Sequence, residues 1–264
     1  LAMVEAGAEK ETKKELRDAL SLGDVSAQQA GTALRDLARS SNHELGIANS
    51  VWPSTQFKIR PEYQDTIVKN FDAQFKTLDY ANNPDSARKA INGWVEEKTK
   101  NKIKDLLGAG AVTSATRLIL ANAVYFKGDW AEPFPKKATR ESDFRVSAAK
   151  TVIVPMMSKT ERFGYFEDIR VQGLRMYYKG REMYMLIVLP KPGATLAEAE
   201  VPKALEIMNA LKETKVEVSL PRFKIDLVFD GLPSKLGRLG ILRIFSPLMA
   251  QLGPIGTSPD SPVF

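Results

Sequence analysis

The spacing of hydrophobic positions changes part-way along the 264-residue chain. Up to residue 108 they mostly recur every three or four residues, the period of a helix with one buried face. Residues 12–20 continue an amphipathic helix, and a second follows over 27–39 with Ala30, Leu34, Leu37 and Ala38 on one side. "ELGIANSVWPS" reads as a strand closed by Pro53, which has no N–H for a sheet ladder. Pro61 suits the first turn of another helix, running to about residue 70. The longest helical pattern places Asn83 at the cap and Pro84 after it. Ile91, Trp94, Val95, Ile103, Leu106 and Leu107 form its apolar stripe, and Gly108 is its stop.

Beyond Gly108 the pattern is that of strands. They are read at 117–126, around Phe144, in "TVIVPMM", in "RFGYFED", and in "RMYYKGREMYMLIVLP" with a turn at Lys179-Gly180. The last is "VEVSLPRFKIDLVF". Helical sequence returns at 196–211 and more weakly at 233–239. Helices first and antiparallel strands later predict an α+β fold, helices packed on mainly antiparallel sheets, in a single domain over 1–264. Residues 248–264, with "GPIGTSPDSP", read as an irregular tail. One residue stands out. In "RLILANAVYFKGDW" the apolar run is continuous, as in a strand buried on both faces, yet Asn122 lies inside it. A buried amide without partners costs about 1–3 kcal/mol, so either neighbours satisfy Asn122 or this strand exchanges partners.

Composition narrows the chemistry. There is no cysteine and one histidine, which excludes a disulfide framework and argues against a transition-metal site. His43, in "SSNHELG", reads as a helix-terminal cap or surface residue, with no nucleophile and acid placed around it for a triad. "GAGAV" at Gly108 follows a helix, not a strand, so it is no dinucleotide fingerprint, and "GLPSKLG" lacks the order of a phosphate loop. The aromatics are too scattered for a nucleic-acid platform. The longest apolar run, 183–189, is far short of the roughly 20 residues that span a bilayer. A net charge of +6 permits contact with polyanions such as heparin. Its densest stretch is "EEKTKNKIK", where Lys98 and Lys102 would share a helical face beside Lys100 and Lys104; the alternative is a solvated face. No enzyme, cofactor or metal is expected, and exclusion leaves a binding or inhibitory protein.

Several segments together resemble the serpin family. "NAVYFKGDW" followed by Pro133 and Phe134 is similar to the third strand of the family's main sheet and the segment leaving it. "INGWVEEKTKNKI" is similar to the long helix across that sheet, and "ANSVW", "VPMM", "MYMLIVLPK" and "VEVSLPRFKI" follow in family order. The likeness runs from about Leu1 to about Pro247. It implies a suicide inhibitor of serine proteases, whose exposed reactive loop is cleaved and inserts as a new strand into the main sheet. It implies that Asn122 belongs to the shutter, where strands part to admit the loop, and that Trp130 is the breach residue at the top of the sheet. A satisfied core amide and an ordinary core aromatic are the plainer readings of these two side chains.

Measured against the family pattern, the chain reads as truncated at both ends. It opens within a helix, and after "LGILRIFSP" the hinge, the reactive loop and the final strands are missing. The resemblance therefore implies a serine protease as partner, with no loop in this chain to engage it. It also implies an extracellular location, with intracellular members of the family keeping the other compartment open. A polyanion-binding, non-inhibitory protein and an inactive truncated product are the alternatives. Without the C-terminal strands, the apolar "MYMLIVL" is expected to lack cover and to drive self-association.

Overall fold

A computed structural model of the chain describes residues 1–40, 44–147, 149–194, 201–225, 232–246 and 248–257. His43 lies outside these residues. The chain, expected as one domain, divides into two compact units: Leu1–Lys127 with Val228–Phe264, and Gly128–Leu227.

The first unit opens with helices α1 (Ala2–Glu5), α2 (Lys10–Ala19) and α3 (Ala27–Ser40), then strands β1 (Glu44–Pro53) and β2 (Lys58–Ile59). Helix α4 (Pro61–Phe71) follows, with proline in its first turn as expected, then β3 (Gln74–Phe75), α5 (Pro84–Lys98) and β4 (Leu118–Lys127). The sheet order is β3-β1-β4. β1 and β4 are antiparallel and paired without a break from Glu44↔Lys127 to Pro53↔Leu118. Helix α5 lays Ile91, Trp94 and Val95 into a core with Trp52, Tyr80, Ala121 and Ala123. Small alanines on β4 leave room for the two tryptophans, which meet edge to face at 6.1 Å.

Helix α5 stops at Lys98, ten residues before the predicted end at Gly108. Thr99 explains the break: its hydroxyl donates to the Val95 carbonyl at 2.8 Å and accepts the Ile103 N–H at 3.1 Å. Lys100, Asn101 and Asp105 then adopt left-handed backbone angles. Buried Asn92 clasps the returning chain, donating to the Leu107 carbonyl and accepting its N–H at 3.0 and 2.9 Å. Ile103 and Leu106 consequently lie exposed rather than continuing the stripe. At the other end Asn83 holds the cap position, but its side chain donates to Asp79 and makes no capping bond.

In the second unit β5 (Thr139–Ser147), β6 (Lys150–Glu167), β7 (Val171–Tyr177) and β8 (Tyr184–Pro190) form a meander in that order. Helix α6 (Val201–Ala210) precedes β9 (Lys212–Pro221), which pairs with β6. "TVIVPMM" and "RFGYFED", read as separate strands, are one 18-residue strand. β6 can run on because it changes partner: β5 lies beside 150–157, and β9 pairs with 156–165. The expected turn at Lys179-Gly180 is present, with Gly180 at φ +90°. Gly173 leaves space for Ile207 of α6, since a methyl group there would meet that side chain at 2.3 Å.

The chain returns to the first unit with α7 (Leu232–Arg238) and β10 (Gly256–Thr257). Residues 248–257, expected as part of a tail, are docked. Gln251 bonds reciprocally with Thr12, Arg60 donates to the Gly253 carbonyl at 2.9 Å, and Ile255 is buried beside Tyr63 and Phe71. β10 completes a ribbon with β2. A stretch without hydrophobic period is thus held by polar groups more than 190 residues away, which local sequence does not reveal. Residues 258–264 lie outside the described part.

Candidate functional site

Asn122 sits in the middle of β4, directly opposite Asn49 of β1. The expectation that both faces of β4 are buried is corrected. Ala121 and Ala123 turn under α5, whereas Asn122 and Val124 lie on the other face and are exposed. From Leu118 to Val124 both faces are apolar apart from Asn122, so the alternation there is one of size and cover, invisible to a polar/apolar pattern.

The two amides form a relay. Asn122 Nδ2 donates to Asn49 Oδ1 at 2.9 Å and more weakly to the Ala48 carbonyl at 3.4 Å. Asn49, almost fully buried, donates in turn to the Phe71 carbonyl at the end of α4, at 2.8 Å. Beside the pair lies a cavity of about 420 Å³, lined by Met3, Leu34, Leu45, Ile47 and Phe71 among others. Among the described residues β4 pairs only with β1, leaving its second edge without a strand. Sequence reasoning missed Asn49. The signal was available: "IANSV" and "LANAV" place the same Ala-Asn dipeptide inside two apolar strands.

Trp130 belongs to the second unit. It is half-buried and stacked on Tyr178, with centroids 4.7 Å apart and planes 6° from parallel. Backbone bonds fix it there: Trp130 forms an antiparallel bridge with Tyr178, Ala131 N–H donates to the Tyr177 carbonyl, and Lys179 N–H donates to the Asp129 carbonyl. Phe163, Met176 and Val218 form the core beneath.

The four lysines do not share a helical face, because the helix ends at the first of them. Lys98 pairs with Glu97 at 2.9 Å. Lys100 pairs with Glu44 at 3.0 Å and lies over the Tyr125 ring. Hydrogen bonding and charge from Lys100 hold the Glu44 carboxyl below its ordinary range, and Glu44 raises Lys100 in return. Lys102 and Lys104 are exposed on the loop after α5. No group of three or more His, Cys, Asp or Glu side chains suited to a metal occurs among the described residues, and no described helix is long and apolar enough to cross a membrane.

Comparison with known proteins matches residues 1–262 to the family described as serpin (serine protease inhibitor). The match passes the expected limit at Pro247 and takes in the docked residues 248–257. Leukocyte elastase inhibitor A of Mus musculus is 34% identical over 98% of this chain and 72% of its own length. Leukocyte elastase inhibitor of Bos taurus is 34% identical over 93% of this chain and 69% of its own. Among solved structures, cleaved Serpin 42Da superposes with a TM-score of 0.83 at 34% identity, covering 98% of this chain and 71% of that one. Emu ovalbumin (Dromaius novaehollandiae) gives 0.86 at 26%, covering 96% and 71%. Two units of helices and mainly antiparallel sheet, matched over nearly every residue, make this chain a member of the serpin family.

Proposed function

We propose that this chain carries the sheet machinery of a serine-type endopeptidase inhibitor that acts by inserting a reactive loop into its main sheet. In this reading β4 is the strand beside which the insert lies. The Asn49–Asn122 pair is the shutter and Trp130 marks the breach. The observation that carries the reading is the direct amide pair across β1 and β4 beside a strand edge that no described residue fills. A carboxamide offers both a donor and an acceptor, so it can exchange one set of hydrogen bonds for another when a strand arrives; a leucine cannot. The serine endopeptidase as partner and an extracellular location rest on the family resemblance.

The test is a thermal melt of the 264-residue chain with an alanine-rich, acidic synthetic peptide of the kind that forms the family's hinge. The melting temperature is expected to rise with peptide concentration, as ligand linkage requires, and to rise less in Asn122→Leu. An unchanged melting temperature at every peptide concentration would contradict the reading.

A further inference from the structure

Residues 231–259 contain three cations, Lys235, Arg238 and Arg243, and no Asp or Glu. In the first unit this stretch forms α7, the 3-10 turn Arg243–Phe245 and the turn after it. Its backbone is fixed on α2. Ile241 is fully buried in a core with Ala8 and Leu16. Glu15 accepts the N–H groups of Leu242 and Arg243 at 3.0 and 2.9 Å and pairs with the Arg243 side chain at 3.2 Å, so its charge is held within the frame. The Gln251 N–H donates to the Thr12 hydroxyl at 3.0 Å.

The apolar side chains that this frame does not use are open to solvent. Leu239, Leu242, Phe245, Leu248 and Met249 are all exposed. Leu242 folds back over Gly237 of α7, where an added methyl group would lie 3.2 Å from it, so α7 and the 3-10 turn share one surface. Leu248 is 97% exposed, within a turn closed by the Met249 N–H on the Ser246 carbonyl at 3.1 Å. Lys235 and Arg238 are exposed on α7. The adjoining α2 presents exposed charges of both signs, Lys10 and Lys14 against Glu11 and Asp18, so the patch takes its sign from its own cations.

We propose that this patch docks on an anionic phospholipid surface, its leucines entering the acyl boundary and Lys235 and Arg238 meeting lipid phosphates. Clustered exposed apolar side chains mark an interaction surface. Apolar groups beside cations, with no acidic residue in the stretch, complement a negatively charged bilayer. A leucine standing almost wholly clear of the protein suits a medium it can penetrate. A second copy meeting this patch face to face would instead bring like charges together.

The test is co-sedimentation of the full chain with vesicles of phosphatidylcholine alone and of phosphatidylcholine mixed with phosphatidylserine. The chain is expected to sediment with the anionic vesicles, to stay in solution with the neutral ones, and to be released as salt rises. The paired change Leu242→Ser and Leu248→Ser leaves net charge untouched at two exposed positions. Its melting temperature should match the parent's, while vesicle affinity falls at least about tenfold. Arg238→Ala should weaken binding about fivefold. Leu189→Ser on β8 should bind as the parent does, which separates docking from association through that strand. Binding to neither vesicle, equal binding to both, or anionic binding undiminished by the paired change would each overturn the proposal. A paired variant of lower mass in light scattering, from a parent that binds no vesicles, would assign the patch to a second copy instead.

Discussion

β4 and β8 look alike as sequences and behave differently as strands. "LILANAVYFK" reads as a strand buried on two faces and "YMLIVLP" as one apolar enough to need the same cover, and among the described residues each pairs along one edge only, β4 with β1 and β8 with β7. On β4 the buried face is alanine under α5 and the open face carries an amide tied to a second amide. β8 carries no such group. Its positions are half-buried, and Leu189 is 58% exposed. An edge bearing hydrogen-bonding side chains can accept a partner and release it, whereas an uncovered apolar edge tends to associate without register or specificity.

Breaking the covered face of β4 should have the largest effect. Trp94→Ala removes the ring that meets Trp52 and packs on the alanines, and is expected to cost about 3–5 kcal/mol in urea unfolding. A loss under about 1 kcal/mol would mean that α5 does not anchor this sheet. Next comes the amide pair. Asn49→Ala leaves the Phe71 carbonyl and the Asn122 amide without their partner at a nearly buried site, and should cost about 1–3 kcal/mol. Asn122→Ala, at an exposed position, should cost less than Asn49→Ala; the reverse order would place the energetic weight on the wrong strand.

For β8 the expected readout is association rather than stability. The parent chain should elute above monomer mass in size-exclusion with light scattering. Leu189→Lys should shift it toward monomer while changing unfolding free energy by no more than about 0.5 kcal/mol. A monodisperse parent monomer would show that β8 is closed in some other way.

The smallest effects concern surface charge. Because Lys100 holds the folded Glu44 carboxyl below its ordinary 4.5, the pair stabilises the fold above that value and its contribution disappears as pH falls through the lowered one. The acid-side loss of melting temperature should therefore be slightly smaller in Glu44→Gln, and salt should shrink the difference. Heparin retention should be weak and should fall further when Lys98, Lys100, Lys102 and Lys104 all become alanine, because two of the four already face carboxylates. Strong retention at physiological salt, lost in the quadruple variant, would favour a polyanion-binding role.

Residues whose structure depends on nearby neighbours were legible in the sequence. Pro61 and Pro84 opened their helices, Pro53 closed β1, and Lys179-Gly180 turned the hairpin, because each acts through its own backbone geometry. The end of α5 was not legible, since Thr99 and Asn92 outcompete a continuing apolar stripe through bonds to residues 103 and 107. Within the site, Asn122 was conspicuous as a carboxamide in an apolar run. Asn49 was overlooked although it makes the deeper bond, because only the register of β1 against β4 brings the two together.

The central claim is that β4 takes a further strand at the asparagine pair, along the edge that no described strand fills. Residue-resolved amide hydrogen exchange, with and without the alanine-rich hinge peptide, tests it most directly. Binding should slow exchange at alternate amides of β4, around Asn122, and leave β8 unchanged. Equal exchange along β4 with and without peptide, or protection confined to β8, would contradict the account.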